Sequence, residues 1–260
     1  MLSAIEGGLL VEERRRRICE FLRAEGRVTV EALATRFGTS QVTIRADLSA
    51  LEAAGALMRT HGGALLREED EPLDVKQLQH HSEKARIAQA AVALIRDGET
   101  LILDSGTTTA EIARAIRKAD LKSINVITNA LNVAALLMDA PFVRLIVPGG
   151  ILRRESNSLS GPLAEAALAN LQADRLYLGA DGLDPEIGVM TPHLQEAELN
   201  AKMIRISRQV VVVADSSKLL RRNISLIAKV EQIHMLITDR AAPAAAVEEF
   251  RRRGVDVRLV

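Results

Sequence analysis

The sequence has few aromatic residues: no tryptophan, one tyrosine (Tyr177) and four phenylalanines among its 260 residues. Apolar residues still make up 48% of the chain, so its core must be built mostly from Leu, Ile, Val and Ala. That composition suits helices packed on a buried parallel sheet. The length is sufficient for two domains, or for a small module beside a larger α/β domain.

The sequence also has little cysteine and no excess of either charge. Cys19 is the single cysteine, which excludes a disulfide framework and a cysteine-rich zinc site, and we expect no metal or other cofactor. The 34 basic and 34 acidic side chains cancel, so the overall charge indicates no nucleic-acid partner, although a local cluster can still bind one. The N-terminus lacks the pattern of a signal peptide, and no apolar run approaches the length of a membrane span. We therefore expect a cytoplasmic protein without a membrane partner.

The chain has two parts joined by a polar segment. Residues 9–66 contain three short helical patterns and then a Gly-Gly turn. Residues 67–81 are charged and contain a proline, which predicts a linker. In residues 82–260, helical segments alternate with short β-branched runs, which predicts βαβ units around a mostly parallel sheet.

The first part has the pattern of a helix-turn-helix. The stretch VTVEALATRF is followed by a turn at Gly38 and by the helical pattern SQVTIRADLSALEAAG. In this last helix, we expect Val42, Ile44, Leu48 and Leu51 to face the core. The remaining face is polar and suits the major groove of DNA.

The polar face supplies side chains that read or position DNA. Gln pairs with adenine, Arg with guanine, and Ser or Thr reaches bases or phosphates. The stretch LMRTHGGALL predicts a two-stranded wing turning at Gly62 and Gly63, with its basic residues placed for phosphates. A packing module with solvated charges is the alternative, and it explains the four arginines at 14–17 equally well. The predicted DNA-binding residues are Thr29, Ser40, Gln41, Thr43, Arg45, Arg59 and His61.

The stretch GRVTVEALATRFGTSQVTIRADLSALEAAGALMRTHGGAL resembles the winged helix-turn-helix of DeoR-type bacterial transcriptional regulators. The likeness includes the TIR-x-DL motif and the HGGA wing. A second arginine is usual before the aspartate, where this chain has Ala46. The departure affects a phosphate or base contact, or operator preference, rather than the class of protein.

Residues 82–260 resemble the sensor domain of the same family, which shares its fold with ribose-5-phosphate isomerase. The likeness is carried by LDSGTTTAEIA (103–113), TNALNVA (128–134), GADGLD (179–184) and ADSSK (214–218). It implies an α/β domain that binds a phosphorylated sugar or a related metabolite. Binding of this ligand is expected to change the affinity of the regulator for DNA. The segments ESNSLSGPLAE and TPHLQEAELN are similar to family members that control amino-sugar, galactosamine or tagatose-type catabolism.

Polar residues follow the predicted strands, where ligands of parallel sheets bind. The backbone N–H groups of residues 105–109 open a helix and make an anion site, and Gly106 allows a tight turn. Lys218 offers a positive charge to a phosphate, while Asp104 and Asp181 accept hydrogen bonds from sugar hydroxyls. Taken singly, each residue is also explained as a helix cap, a turn or a solvated side chain. The predicted effector-binding residues are Asp104, Ser105, Gly106, Thr107, Thr108, Thr109, Asn129, Gly149, Gly150, Asp181 and Lys218. Weaker candidates are Arg153, Arg154, Glu155, Glu196, Asn200 and Lys202.

Two other functions compete with a sensor. A sugar-phosphate isomerase needs a carboxylate base and a lysine, which Asp181 and Lys218 can supply. Isomerases resembling this chain, however, carry an acid directly after the GAD motif, where this chain has Gly182. A dinucleotide-sensing regulator needs G-x-G-x-x-G after a strand, which neither SGTTT nor PGGIL fits.

We therefore expect a non-enzymatic DNA-binding regulator with no catalytic residue. Its partners are double-stranded operator DNA and a phosphorylated sugar or amino sugar that releases it. It is expected to repress a carbohydrate-catabolism operon. Because one small module gives limited affinity, we expect a homodimer or homotetramer paired through the sensor domains.

Overall fold

The computed structural model describes residues 11–25, 27–53, 57–60, 62–66 and 73–260. The chain divides into two compact units, residues 1–70 and 71–260. The helices of the described residues are α1 (Val11–Glu25), α2 (Val30–Phe37), α3 (Gln41–Ala53), α4 (Leu73–Leu78), α5 (His81–Val92), α6 (Thr107–Ile116), α7 (Leu131–Leu137), α8 (Pro162–Leu168), α9 (Leu194–Arg205) and α10 (Ala244–Arg252). The strands are β1 (Arg27–Thr29), β2 (Leu57–Thr60), β3 (Gly63–Leu66), β4 (Thr100–Leu103), β5 (Ile124–Thr128), β6 (Val143–Ile146), β7 (Ile151–Arg153), β8 (Ser158–Ser160), β9 (Ala173–Leu178), β10 (Gly182–Asp184), β11 (Gly188–Thr191), β12 (Ser207–Val213), β13 (Ser225–Ala228), β14 (Met235–Thr238) and β15 (Asp256–Leu259).

The first unit is the expected winged helix-turn-helix. Helices α2 and α3 meet at the turn around Gly38, and β2 pairs with β3 in antiparallel register with Thr60 opposite Gly63. A short strand that the sequence did not predict, β1, joins β3 and completes a three-stranded sheet. Gly63 is required at this junction, because a Cβ there would lie 1.9 Å from the carbonyl oxygen of Val28.

The two faces of α3 are mostly as expected, with one error. Ile44 and Leu48 are fully buried, and Leu51 packs at the edge of the same core. Val42 was expected in that core, but its side chain is 72% exposed. Two residues along a helix are separated by roughly 200° around its axis, so Val42 and Ile44 cannot both face the core.

Asp47 links α3 to α1. Its side chain is 3% exposed, and it accepts hydrogen bonds from Arg14 Nε at 2.5 Å and Arg15 Nε at 3.1 Å. Two members of the four-arginine run are thus internal partners of a buried carboxylate. This part of the run is explained by packing within the unit.

The second unit is built on a seven-stranded sheet in the order β15-β14-β12-β9-β4-β5-β6. Every neighbouring pair in it is parallel, which confirms the expected α/β class. Apolar clusters cover both faces, with Leu176 and Val212 on one side and Leu103 and Val211 on the other. Fully buried faces explain why these strands read as continuous apolar runs.

Two antiparallel pieces of this unit were not expected from the sequence. Strands β7 and β8 form a hairpin, and β10, β11 and β13 form a small separate sheet. Their strands are only three or four residues long, which is too short for a clear strand pattern in the sequence.

Residues 73–78 of the predicted linker form helix α4. His81, the last residue of that linker, is the first residue of α5. Leu73 is buried, which anchors α4 within the second unit. Residues 67–72 lie outside the described residues. In the part of the chain that the structure describes, no helix is both long and apolar enough to cross a membrane.

Candidate functional site

The hydroxyls of the first unit set the starts of its helices. Ser40 Oγ accepts the backbone N–H of Thr43 at 3.1 Å, which makes Ser40 the N-cap of α3. Thr29 Oγ1 accepts the backbone N–H of Ala32 at 3.1 Å and caps α2 in the same way. Both predicted DNA-binding hydroxyls are exposed, so this structural role leaves them accessible to a phosphate.

The exposed face of α3 is joined to the wing by hydrogen bonds. Arg45 Nη2 donates to Gln41 Oε1 at 3.2 Å, so these two predicted base-reading side chains lie together. Arg59 Nη1, from β2, donates to Ser49 Oγ at 2.6 Å, and the Arg59 backbone N–H donates to Glu52 Oε1 at 3.0 Å. The predicted wing residue Arg59 is therefore fixed against α3, the helix that carries Gln41 and Arg45. Thr43 is half-buried beside them, and His61 lies outside the described residues.

In the second unit, the order of the strands places a switch point between β4 and β9, and we call the space beyond the carboxyl ends of these strands the crevice. From β4 the chain continues to β5 and β6 on one side, while β9 and the later strands lie on the other. At such a switch point the connections diverge and leave room for a ligand beyond the carboxyl ends of the strands. Asp104 follows β4 at this point, and Gly179 follows β9.

Asp104 connects the carboxyl ends of β4 and β9. Its side chain is buried, Oδ2 accepts the Gly179 N–H at 2.9 Å, and Oδ1 has no hydrogen-bond partner. Burial raises the pKa of the Asp104 carboxyl well above its usual range, and the negative charges of Glu196 and Asp181 add to the rise. A buried oxygen without a partner is costly, which makes Asp104 Oδ1 a candidate contact for a polar ligand.

The loop that follows combines a structural hydroxyl with open donors. Thr109 is fully buried, and its Oγ1 lies 3.0 Å from the carbonyl oxygens of both Asp104 and Gly106, so it fixes the loop. Ser105 Oγ is buried without a partner. Helix α6 then begins at the half-buried Thr107 with no side-chain cap, so its first N–H groups remain available to an anion. Thr108, also a predicted effector residue, is buried within the same turn.

Asn129, after β5, is held by the β7–β8 hairpin. Its Nδ2 donates to the carbonyl oxygen of Leu159 at 3.1 Å, while Oδ1 has no hydrogen-bond partner. Gly150 has φ +140°, and a Cβ there would lie 2.7 Å from the Ser160 carbonyl oxygen, so the hairpin requires glycine at this position. Gly149 is exposed and has open space around it.

A cavity of about 260 Å³ opens beside Asn129. Arg153 contacts two other residues of its lining. Its Nη2 is hydrogen-bonded to His193 Nε2 at 2.6 Å, and its Nη1 lies 3.5 Å from Glu196 Oε2. One turn further along α9, Asn200 is buried with both amide atoms unpartnered. Arg153, Glu196 and Asn200 were weaker sequence candidates. The cavity is lined by Asn129, Arg153, Ser158, Ser160, Pro192, His193, Leu194, Gln195 and Glu196.

Two lysines, Lys76 and Lys84, make the contacts of α4 beside Asp181. Asp181 Oδ1 lies 3.3 Å from Lys76 Nζ of α4, and Asp181 Oδ2 accepts from Thr191 Oγ1 at 3.3 Å. Lys84 is buried, and its Nζ donates to the carbonyl oxygens of Lys76 at 2.5 Å and Gln79 at 2.7 Å. Burial lowers the pKa of the Lys84 ammonium; the charge of Asp215 opposes this, and those of Lys218 and Lys76 add to it.

Sequence reasoning missed both Lys76 and Lys84. Lys76 falls in the predicted linker and carried no signal. Lys84 did carry one, because it occupies the helical register of Ile87, Ala88 and Ala91, which form the buried face of α5. A lysine in that register indicates an ammonium group held inside the fold.

Comparison with known proteins assigns both units. A model of the DeoR-like helix-turn-helix domain matches residues 14–70, and a model of the DeoR C-terminal sensor domain matches residues 79–240. The chain is a DeoR-family transcriptional regulator. The family expected from the sequence motifs is thus confirmed, and with it a DNA-binding regulator rather than an enzyme.

Several relatives of this regulator match along nearly their whole length. The putative aga operon transcriptional repressor of Escherichia coli O157:H7 is 42% identical, over 95% of this chain and 93% of that one. The regulator GlpR of Haloferax volcanii is 36% identical, over 96% and 98%, and the repressor GlcR of Bacillus subtilis is 33% identical, over 95% of each. Ribose 5-phosphate isomerase A of Methanocaldococcus jannaschii is 22% identical over 54% of this chain and 55% of its own, with a TM-score of 0.39, and this likeness carries no argument about activity.

Proposed function

We propose that this regulator represses a carbohydrate-catabolism operon and that a phosphorylated sugar or amino sugar, bound in the crevice between β4 and β9, releases it from its operator. One observation carries the proposal: buried polar atoms without partners collect at the crevice. They are Asp104 Oδ1, Ser105 Oγ and Asn129 Oδ1. Leaving such an atom unsatisfied costs about 1–3 kcal/mol, so their grouping at a switch point supports a polar ligand.

The phosphate is assigned to the start of α6. The N–H groups after Gly106 have no side-chain cap, and the helix dipole favours an anion there. Lys218 lies in the turn that follows β12, whose carboxyl end is on the same edge of the sheet as that of β4. Positive charge and free N–H donors together favour a dianionic group over a neutral one.

The carbohydrate part is assigned to the acceptors. Asp104 Oδ1 and Asn129 Oδ1 are buried oxygens that accept hydrogen bonds from hydroxyl or amino groups. Asp181 adds a second carboxylate at the carboxyl end of β9. A polyol carrying one phosphate supplies donors and the anion in a single molecule.

Along the sequence, helix α4 is the element of the second unit that comes first after the DNA-binding unit. In the sequence, residues 67–72 separate it from β3, the last strand of the first unit. Within the second unit, α4 is held by Lys76 to Asp181 and by the Lys84 ammonium to two carbonyl oxygens near its end. A sugar hydroxyl that takes Asp181 competes with Lys76, so ligand binding and the hold on α4 are linked.

Assembly into a homodimer or homotetramer remains part of the proposal. A single winged helix-turn-helix offers a small contact surface, and two linked copies gain affinity through effective concentration. Repeated half-sites in the operator are the expected counterpart.

The first experiment is a dye-based thermal-shift screen of the full chain against hexose 6-phosphates, hexosamine 6-phosphates, tagatose phosphates and the corresponding unphosphorylated sugars. A true effector at about a hundred times its Kd adds about 2.7 kcal/mol to stability. We expect a hit among the phosphorylated compounds alone, its recovery unchanged after incubation, and loss of operator binding when it is added. A hit that tightens operator binding would contradict release, and conversion of the hit would contradict a pure sensor.

Replacing Lys76 with methionine tests the linkage through α4. We expect the screened sugar phosphate to bind up to about fivefold more tightly, because a half-exposed ion pair competing for Asp181 is worth at most about 1 kcal/mol. The same variant should show a smaller ligand-induced loss of operator affinity. Lys118→Met, at an exposed position of the same unit, is the matched control. Weaker ligand binding by K76M would show that Lys76 contacts the ligand itself and does not compete with it.

A further inference from the structure

The exposed face of α3 contains an apolar strip as well as polar side chains. At about 100° per residue, Gln41, Val42, Arg45 and Ala46 fall within one side of the helix. All four are exposed, and the buried Ile44 and Leu48 lie on the neighbouring side of the helix. Gln41 and Arg45 are joined by the 3.2 Å hydrogen bond, so the polar strip has a defined geometry. Val42 and Ala46, four residues apart, form the adjacent apolar strip.

Packing does not account for Val42. Its side chain is 72% exposed, and it is absent from the core cluster of the unit. A β-branched residue in a helix also loses side-chain freedom, so helix propensity gives no reason for it. A single exposed valine is ordinary elsewhere on a surface, but here it lies in the first turn of the helix that enters the major groove.

We propose that Val42 is a specificity-determining residue that reads a thymine through its C5-methyl group. In the major groove, the methyl group of thymine is the one apolar feature that a base edge presents, and an exposed aliphatic side chain is its natural contact. Gln41 and Arg45 beside it supply the hydrogen bonds for neighbouring bases. The inference rests on DNA binding by the first unit and is independent of the effector.

The test removes single methyl groups from the DNA. An operator is first selected from randomised duplexes with the full-length protein, and each thymine is then replaced by deoxyuracil, which lacks only the methyl group. At one position in each half-site we expect wild-type affinity to fall about fourfold, the value of one buried methyl group. Val42→Ser should bind the thymine and uracil operators equally at that position.

Two further variants complete the experiment. Val42→Thr keeps the branched shape and exchanges one methyl for a hydroxyl, and we expect an intermediate response to uracil. Val11→Ser alters another exposed valine of the same unit, 47% exposed on α1, and should respond to uracil as the wild type does. Uracil responses that are the same in the wild type and in V42S at every position would overturn the proposal. Selection of no sequence at all would overturn it as well.

Discussion

Replacing Asp47 with alanine should abolish operator binding while the sensor unit stays folded. Asp47 is a buried carboxylate that holds Arg14 and Arg15 against α3, and Arg14 is itself only 11% exposed. Its removal takes away the buried negative charge that both guanidinium groups contact. Breaking a buried pair in this way costs about 3 kcal/mol or more, a large part of the stability of a small unit.

The two units can be followed separately in this experiment. Tyr177 is the single tyrosine and is buried in the large sheet, so its fluorescence reports unfolding of the sensor unit alone. Far-UV circular dichroism reports both units. In urea, we expect D47A to lose part of its helical signal at a lower concentration than the wild type, with the tyrosine transition unchanged.

Glu20→Ala is the matched control for Asp47. Glu20 pairs with Arg16 on the same helix α1 at 3.9 Å, and both side chains are more than half exposed. An exposed pair contributes at most about 1 kcal/mol, so E20A should keep nearly all of its operator affinity. Equal losses in D47A and E20A would refute a special role for the buried carboxylate.

Replacing Asp104 with asparagine should stabilise the ligand-free protein at neutral pH and greatly weaken effector binding. Burial and the charges of Glu196 and Asp181 raise the pKa of the Asp104 carboxyl, so the ionised form is unfavourable in the native state. Asparagine keeps an oxygen to accept the Gly179 N–H and carries no charge. We expect the free energy of unfolding to rise by about 1 kcal/mol or more, because burying an ionised carboxylate costs more than burying a neutral amide.

The pH dependence has a definite sign. The native state of the wild type holds the Asp104 proton more tightly than the unfolded chain does. Stability from this group is therefore fully present below the ordinary Asp pKa of about 3.9, and it is lost as the pH rises toward the raised native pKa. The stability advantage of D104N should grow with pH across that window and then level off. Thermal unfolding followed from pH 3.5 to 8 measures it.

D104N should bind the effector more weakly than the wild type does, although it is more stable. The variant places an N–H₂ group at one of the two carboxyl oxygen positions and so loses an acceptor that faces the crevice. We expect at least about a tenfold loss of affinity for the sugar phosphate found in the screen, the usual effect of removing one charged hydrogen bond. Asp139→Asn, at an exposed position, is the control. A variant that is less stable and still binds would contradict both the burial argument and the site.

The placement of several candidate effector-site residues was predictable because parallel strands end on one edge of a sheet. Asp104, Asn129 and Asp181 were identified from runs of apolar residues that end in a polar one, and the structure brings them to that edge. Their roles as ligand contacts remain predictions. Lys76 was not predictable, since nothing in a charged, proline-containing segment indicates which carboxylate it meets 105 positions later.

The sequence by itself determined the family, the two-part organisation and the α/β class of this regulator. Those conclusions depend on local signals, namely helical and strand periodicity and motifs such as TIR-x-DL, which do not need distant contacts. Only the tertiary structure decided which polar atoms are buried without partners, that Asp47 holds two arginines, and that Val42 faces outward. Burial and pairing depend on residues far apart in the chain, and a one-dimensional pattern does not contain that information.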